Sequence, residues 1–212
     1  MTACRLFLLT PKLTLAEVAA FAPRFAAAAA ATEAASALVR LAAGAESDAK
    51  RILAPLLEIA VRQDVALLVE VDPRLAARLG ADGALVSGAG AELTSALDSL
   101  HPERIVGVGG LKLRDEAMEA GEAGADYIMF GEPRRDGWTP PFEDTLERVS
   151  WWAEIFQTPC VGYAATLENA EELAAVGADF VAIGDALWTA PVLEDAAKDL
   201  MRRLAAASAG RA

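Results

Sequence analysis

Gly177-Ala178-Asp179-Phe180-Val181-Ala182-Ile183 closes an apolar-periodic helix and opens a short buried run, and the chain repeats that joint twice. Gly80-Ala81-Asp82 leads into Gly83–Val86, and Gly124-Ala125-Asp126 leads into Tyr127–Phe130. Glycine supplies the left-handed residue that stops a helix, and the residues after it turn the chain into a strand. Joints of one chemistry mean that one supersecondary unit is reused.

Working outward, the pattern predicts strands at Arg5–Leu9, Ala37–Leu41, Ala66–Val71, Gly83–Val86, Arg104–Val108, Tyr127–Phe130, Cys160–Tyr163 and Phe180–Ile183. Helical periodicity falls between them, near Leu15–Ala31, Ser47–Val61, Pro73–Leu79, Glu92–Ser99, Arg114–Ala123, Phe142–Phe156, Leu167–Val176 and Val192–Ala206. Short buried strands alternating with helices imply parallel strands and right-handed crossovers. Eight such units favour a closed TIM (β/α)8 barrel over an open sheet. No linker composition divides the chain, so residues 1–212 are expected to form one domain.

Composition agrees with that architecture. Apolar residues make up 54% of the chain and aromatics 6%, which suits an aliphatic, alanine-rich core around a buried parallel sheet. The formal net charge of -12 opposes nucleic-acid and anionic-membrane partners, and it would oppose an anionic substrate unless a local basic cluster intervened. The alanine run Ala26–Ala31 is flanked by Arg24 and Glu33 and is far too short to span a bilayer. Cys4 and Cys160 lack metal-ligand spacing and read as reduced thiols of a cytoplasmic protein.

The residues also resemble a known family. Leu8-Leu9-Thr10, the segment Leu75–Val86, the segment Gly124–Gly131, Thr158-Pro159-Cys160-Val161 and the stretch Asn169–Asp185 are similar, in order, to thiamin phosphate synthases and their thiazole tautomerase relatives. The resemblance implies a barrel that joins an aminopyrimidine diphosphate to a thiazole phosphate, using Mg2+ and basic residues to stabilise the departing pyrophosphate.

Carried over position by position, the resemblance implies a divergent, eroded site. The family's Gln-x-Arg-x-Lys stretch falls on Leu38–Ala42 and retains only Arg40. Its Asn-Asp pair falls on Glu70-Val71, with Asp72 one step later, so Glu70 and Asp72 are the candidate metal ligands. The second metal aspartate falls near Gly90, and the serine after the fifth strand falls on Gly109. The Thr-x-Thr-Lys loop falls on Arg134–Thr139, and the glycine pair of the phosphate cradle on Ala164-Ala165. The tautomerase histidine has no counterpart in Gly109–Lys112, and His101 precedes the fifth strand, at the opposite end of the barrel.

The candidate catalytic residues are therefore Arg40, Glu70 and Asp72, and the candidate binding residues are Thr10, Arg134, Arg135, Thr139, Tyr163, Thr166 and Asp185. Lys12, Ser87, Lys112 and Glu132 also fall just beyond strand ends. Bland roles compete: Asp72-Pro73 reads as an N-cap followed by a first-turn proline, and Thr166 as an N-cap. The expected ligand is a small phosphorylated or heterocyclic molecule. The alternatives are a non-catalytic ligand-binding or regulatory barrel, or another phosphate-handling barrel enzyme. Gly131–Pro141 has the length of a lid or binding loop. Trp151-Trp152, adjacent on one helix, cannot both face the core, so one of them is expected either in a homodimer contact or packed between helices.

Overall fold

The computed structural model describes residues 3–134 and 137–210. Its eight parallel strands close in sequence order into a barrel. They are β1 (Arg5–Leu13), β2 (Ser36–Leu41), β3 (Ala66–Val69), β4 (Gly83–Ser87), β5 (Ile105–Gly109), β6 (Tyr127–Phe130), β7 (Cys160–Ala164) and β8 (Phe180–Ile183). The jacket comprises α1 (Leu15–Thr32), α2 (Ala49–Gln63), α3 (Pro73–Leu79), α4 (Ala91–Leu100), α5 (Arg114–Glu122), α6 (Phe142–Ile155), α7 (Leu167–Val176), α8 (Asp185–Trp188) and α9 (Leu193–Ala209). The predicted strand order holds, β2, β4, β5 and β7 differ from expectation by one residue at one or both ends, and three differences are larger. Strand β1 runs on to Leu13, β3 stops at Val69, and the short helix α8 follows β8 directly.

The three Gly-Ala-Asp joints do more than stop helices. Gly80, Gly124 and Gly177 take the left-handed turn, with φ of 79°, 100° and 115°. Each aspartate then reaches sideways to the strand before its own. Asp82 accepts the N–H of Leu67 at 2.7 Å, Asp126 that of Val106 at 2.7 Å, and Asp179 that of Cys160 at 2.9 Å. These bonds satisfy strand-opening donors at the N-terminal end of the barrel. His101, whose Nε2 lies 2.9 Å from Asp126, belongs to that end as well.

Alternation along the strands separates two cores. Outward residues such as Leu8, Val39, Leu67 and Val86 pack under the helices. Inward residues, among them Phe7, Leu9, Leu38, Leu68, Leu85, Tyr127 and Met129, fill the barrel. Strand β5 offers glycine at Gly107, and a β-carbon there would lie 2.0 Å from the Tyr127 ring, so the tyrosine occupies the missing side chain's volume. Of the two adjacent tryptophans, Trp152 is fully buried and donates to the Thr158 carbonyl at 2.7 Å. Trp151 is half-buried, with the Arg114 guanidinium 4.6 Å over its ring.

Candidate active site at the barrel mouth

Two residues beyond Leu38, Leu68 and Leu85 on the inward columns stand Arg40, Glu70 and Ser87, so the period of the strand delivers all three to one rim. They line a cavity of about 310 Å3 together with Lys112, Glu132 and Arg134, over an apolar floor of Leu9, Leu38 and Leu85. The rim lies at the C-terminal ends of the strands, where barrels of this kind carry their sites.

Arg40 is buried and fixed from β1. Its Nε donates to the Thr10 carbonyl at 2.8 Å, and its backbone N–H donates to the Thr10 hydroxyl at 3.0 Å. The hydroxyl itself donates to the Pro11 carbonyl at 2.8 Å. This arrangement sits on a bulge: the β1–β2 register steps from Leu9 opposite Leu38 to Lys12 opposite Arg40. Burial pulls the guanidinium below its ordinary value, while Glu70, Tyr163 and Asp185 raise it again. A partly desolvated guanidinium is suited to hold an anionic group, and the nearby carboxylates oppose it.

Glu132 enters the cavity from the loop after β6. Gly131 turns the chain with φ of 87°, and a β-carbon there would strike Thr145 at 2.4 Å. The carboxyl then accepts the Gly110 N–H. A β-carbon on Gly109 would lie 2.5 Å from its Oε1, so the bare end of β5 is what admits it. Enclosure raises this carboxyl to about 7, the Gly110 N–H opposes the rise, and Glu70 adds to it.

The other expected residues distribute around this centre. Asp72 accepts the N–H groups of Arg74 and Leu75 at 2.9 and 3.3 Å, capping α3, and lines a separate depression beside Glu92 and Ser95. Glu70 and Asp72 thus line different recesses. Among the described residues no group of three or more His, Cys, Asp or Glu side chains could hold a metal. Thr166 caps α7 through the Asn169 N–H at 3.1 Å.

Tyr163 is half-buried against the inner core, and Asp185 is exposed at the start of α8. Arg134 lines the main cavity and a second recess of about 240 Å3 containing Trp138 and Arg148, with its guanidinium 4.4 Å over the Trp138 ring. Its backbone N–H bonds the Trp138 carbonyl at 2.9 Å. Thr139 is exposed on that loop, and Arg135 lies outside the described residues.

Glu132 and Lys112 were legible only as polar residues past strand ends. The signal that singles out Glu132 is the inward glycine column Gly107–Gly109, which leaves volume for neighbours to fill.

Known proteins give this geometry a context. The chain matches the Thiamine monophosphate synthase family over residues 13–187. It is 36% identical over 193 residues to the thiamine-phosphate synthase of Rhodospirillum centenum, covering 90% of this chain and 92% of that one. It is 37% identical over 152 residues to that of Erythrobacter litoralis, covering 68% and 70%. The thiamine phosphate pyrophosphorylase structure from Pyrococcus furiosus superposes with a TM-score of 0.75 at 20% identity, over 96% of each chain. The inward rim carrying Arg40 is thus built on the scaffold of the thiamine monophosphate synthase family, to which this chain belongs.

Proposed function

We propose that this barrel binds a small phosphorylated heterocycle of the thiamin phosphate class at its mouth, and that its synthase turnover is attenuated. The carrying observation is the cavity itself, which sets Arg40, Lys112 and Arg134 against Glu70 and Glu132 over an apolar floor. A flat ring suits the floor, a phosphate suits the cations, and a cationic heterocycle suits the carboxylates. In a chain of net charge -12 such a cluster is the means of gathering an anion.

Attenuation follows from what the departing pyrophosphate requires. Its charge must be neutralised, and losing one such stabilising group costs about a hundredfold or more in rate. Here the Asp72 carboxylate caps a helix, and Ala164-Ala165 place β-carbons where a backbone cradle would approach a phosphate.

The test mixes the purified protein with aminopyrimidine diphosphate, thiazole phosphate and magnesium, beside the Rhodospirillum centenum synthase. Calorimetry follows thiamin phosphate binding in parallel. The reading expects saturable binding with turnover at least about a hundredfold below the reference. Comparable turnover would refute the attenuation, and absence of binding would refute the ligand class. Binding with no turnover at all would favour the non-catalytic ligand-binding barrel.

A further inference from the structure

The end of β5 is shaped around one carboxyl. Gly109 has no side chain where its β-carbon would meet Glu132 Oε1 at 2.5 Å, and Gly110, with φ of 69°, donates its N–H to that oxygen. Gly131 makes the turn that sends Glu132 inward. Each of these three backbone positions is occupied by the residue type the geometry needs. The carboxyl forms part of the cavity wall, so it meets whatever occupies the mouth.

We propose that Glu132 is the specificity-determining residue of this cavity, selecting ligands that bring a cationic or amino nitrogen to its carboxyl and turning away those that bring only an anion. The proposal rests on reading the mouth as a ligand site. The charged and titratable groups around Glu132 come from each neighbouring element. They are Arg40 on β2, Glu70 after β3, Lys112 after β5, Tyr127 on β6 and Arg134 in the loop after β6. The cations among them draw an anion in, so the discrimination must come from the carboxylates. Burial raises Glu132 to about 7, so its charge changes across neutrality. The only histidine, His101, bonds Asp126 at the other end of the barrel.

The test uses probes whose own charge is constant between pH 6 and pH 8. Thiamin carries a permanently cationic ring and an amino group, and sulfate is a plain dianion. Binding of each to the wild type and to Glu132→Gln is measured by calorimetry at both pH values, with thiamin phosphate, whose phosphate titrates at about 6, as a third ligand at pH 8 only. A group titrating near 7 is roughly one-tenth ionised at pH 6 and nine-tenths at pH 8, so thiamin should bind the wild type about tenfold tighter at pH 8. Sulfate should weaken over the same interval, and both trends should vanish in the variant. Wild-type trends that persist in Glu132→Gln overturn the proposal, as does failure of both thiamin and sulfate to bind the wild type. If thiamin phosphate binds wild type and variant alike, with thiamin and sulfate also indifferent to the change, the ligand reading stands and the role of Glu132 falls. If thiamin and sulfate show the Glu132-dependent trends while thiamin phosphate fails to bind, the role stands and the ligand reading falls.

Discussion

Thr10 holds Arg40 at two points, through its hydroxyl to the backbone N–H and through its carbonyl to Nε. The bulge in β1 allows one residue to do both. A threonine within β1 therefore acts on the site through an arginine of the neighbouring strand.

Replacing that hydroxyl exposes the dependence. Thr10→Val strands a buried backbone N–H, and the expected loss is about 1–3 kcal/mol in unfolding free energy from urea denaturation. Binding of thiamin phosphate should weaken less than in Arg40→Ala.

Arg40→Lys keeps the charge and loses the planar fork whose Nε is tied to Thr10. A charge-assisted hydrogen bond contributes about 1.5–3 kcal/mol, so binding should weaken about tenfold or more. Equal affinity of Arg40→Lys and wild type by calorimetry would show that only charge matters there.

The barrel interior has a tight seam at Gly107 and Tyr127. Gly107→Ala forces a β-carbon to 2.0 Å from the ring and should cost about 1–3 kcal/mol or more. Tyr127→Phe should be neutral or stabilising, because the hydroxyl is buried with no hydrogen-bond partner among the described residues. Denaturation midpoints of the two variants should move in opposite directions, or the phenylalanine variant's should stay still.

Stability should also record the Glu132 proton. Its carboxyl is raised from 4.5 to about 7 in the fold, so between those values the folded chain retains a proton that the unfolded chain has released. Stability from this group is present below pH 4.5 and is lost as pH rises to about 7. The difference between wild type and Glu132→Gln should shift by about 2–4 kcal/mol across that window and flatten once pH is well above it.

The barrel was legible because glycine-terminated helices and short apolar runs leave local marks. Tyr127–Phe130 and Phe180–Ile183 appear as expected to the residue. Strand β1 was read short because Pro11 and Lys12 interrupt its apolar pattern, and the bulge that accommodates them is a property of the pair β1–β2. Helix α8 is too short to show a period. At the site, Arg40 and Glu70 were accessible because the family's motifs fall on them and both lie at predicted strand ends. Glu132 was not ranked, because its direction depends on Gly131 and its space on Gly109, two glycines on different elements.

The sideways reach of Asp82, Asp126 and Asp179 ties β3 to β4, β5 to β6 and β7 to β8, leaving β1 and β2 joined without such a bond. Three of the strand pairs in this continuous closed barrel therefore share one side-chain clasp. All the clasps lie at the end of the barrel opposite the mouth cavity. The polar residues of the rim and the aspartate bonds of the base thus lie at opposite ends of the barrel, so a substitution at the rim leaves those bonds untouched.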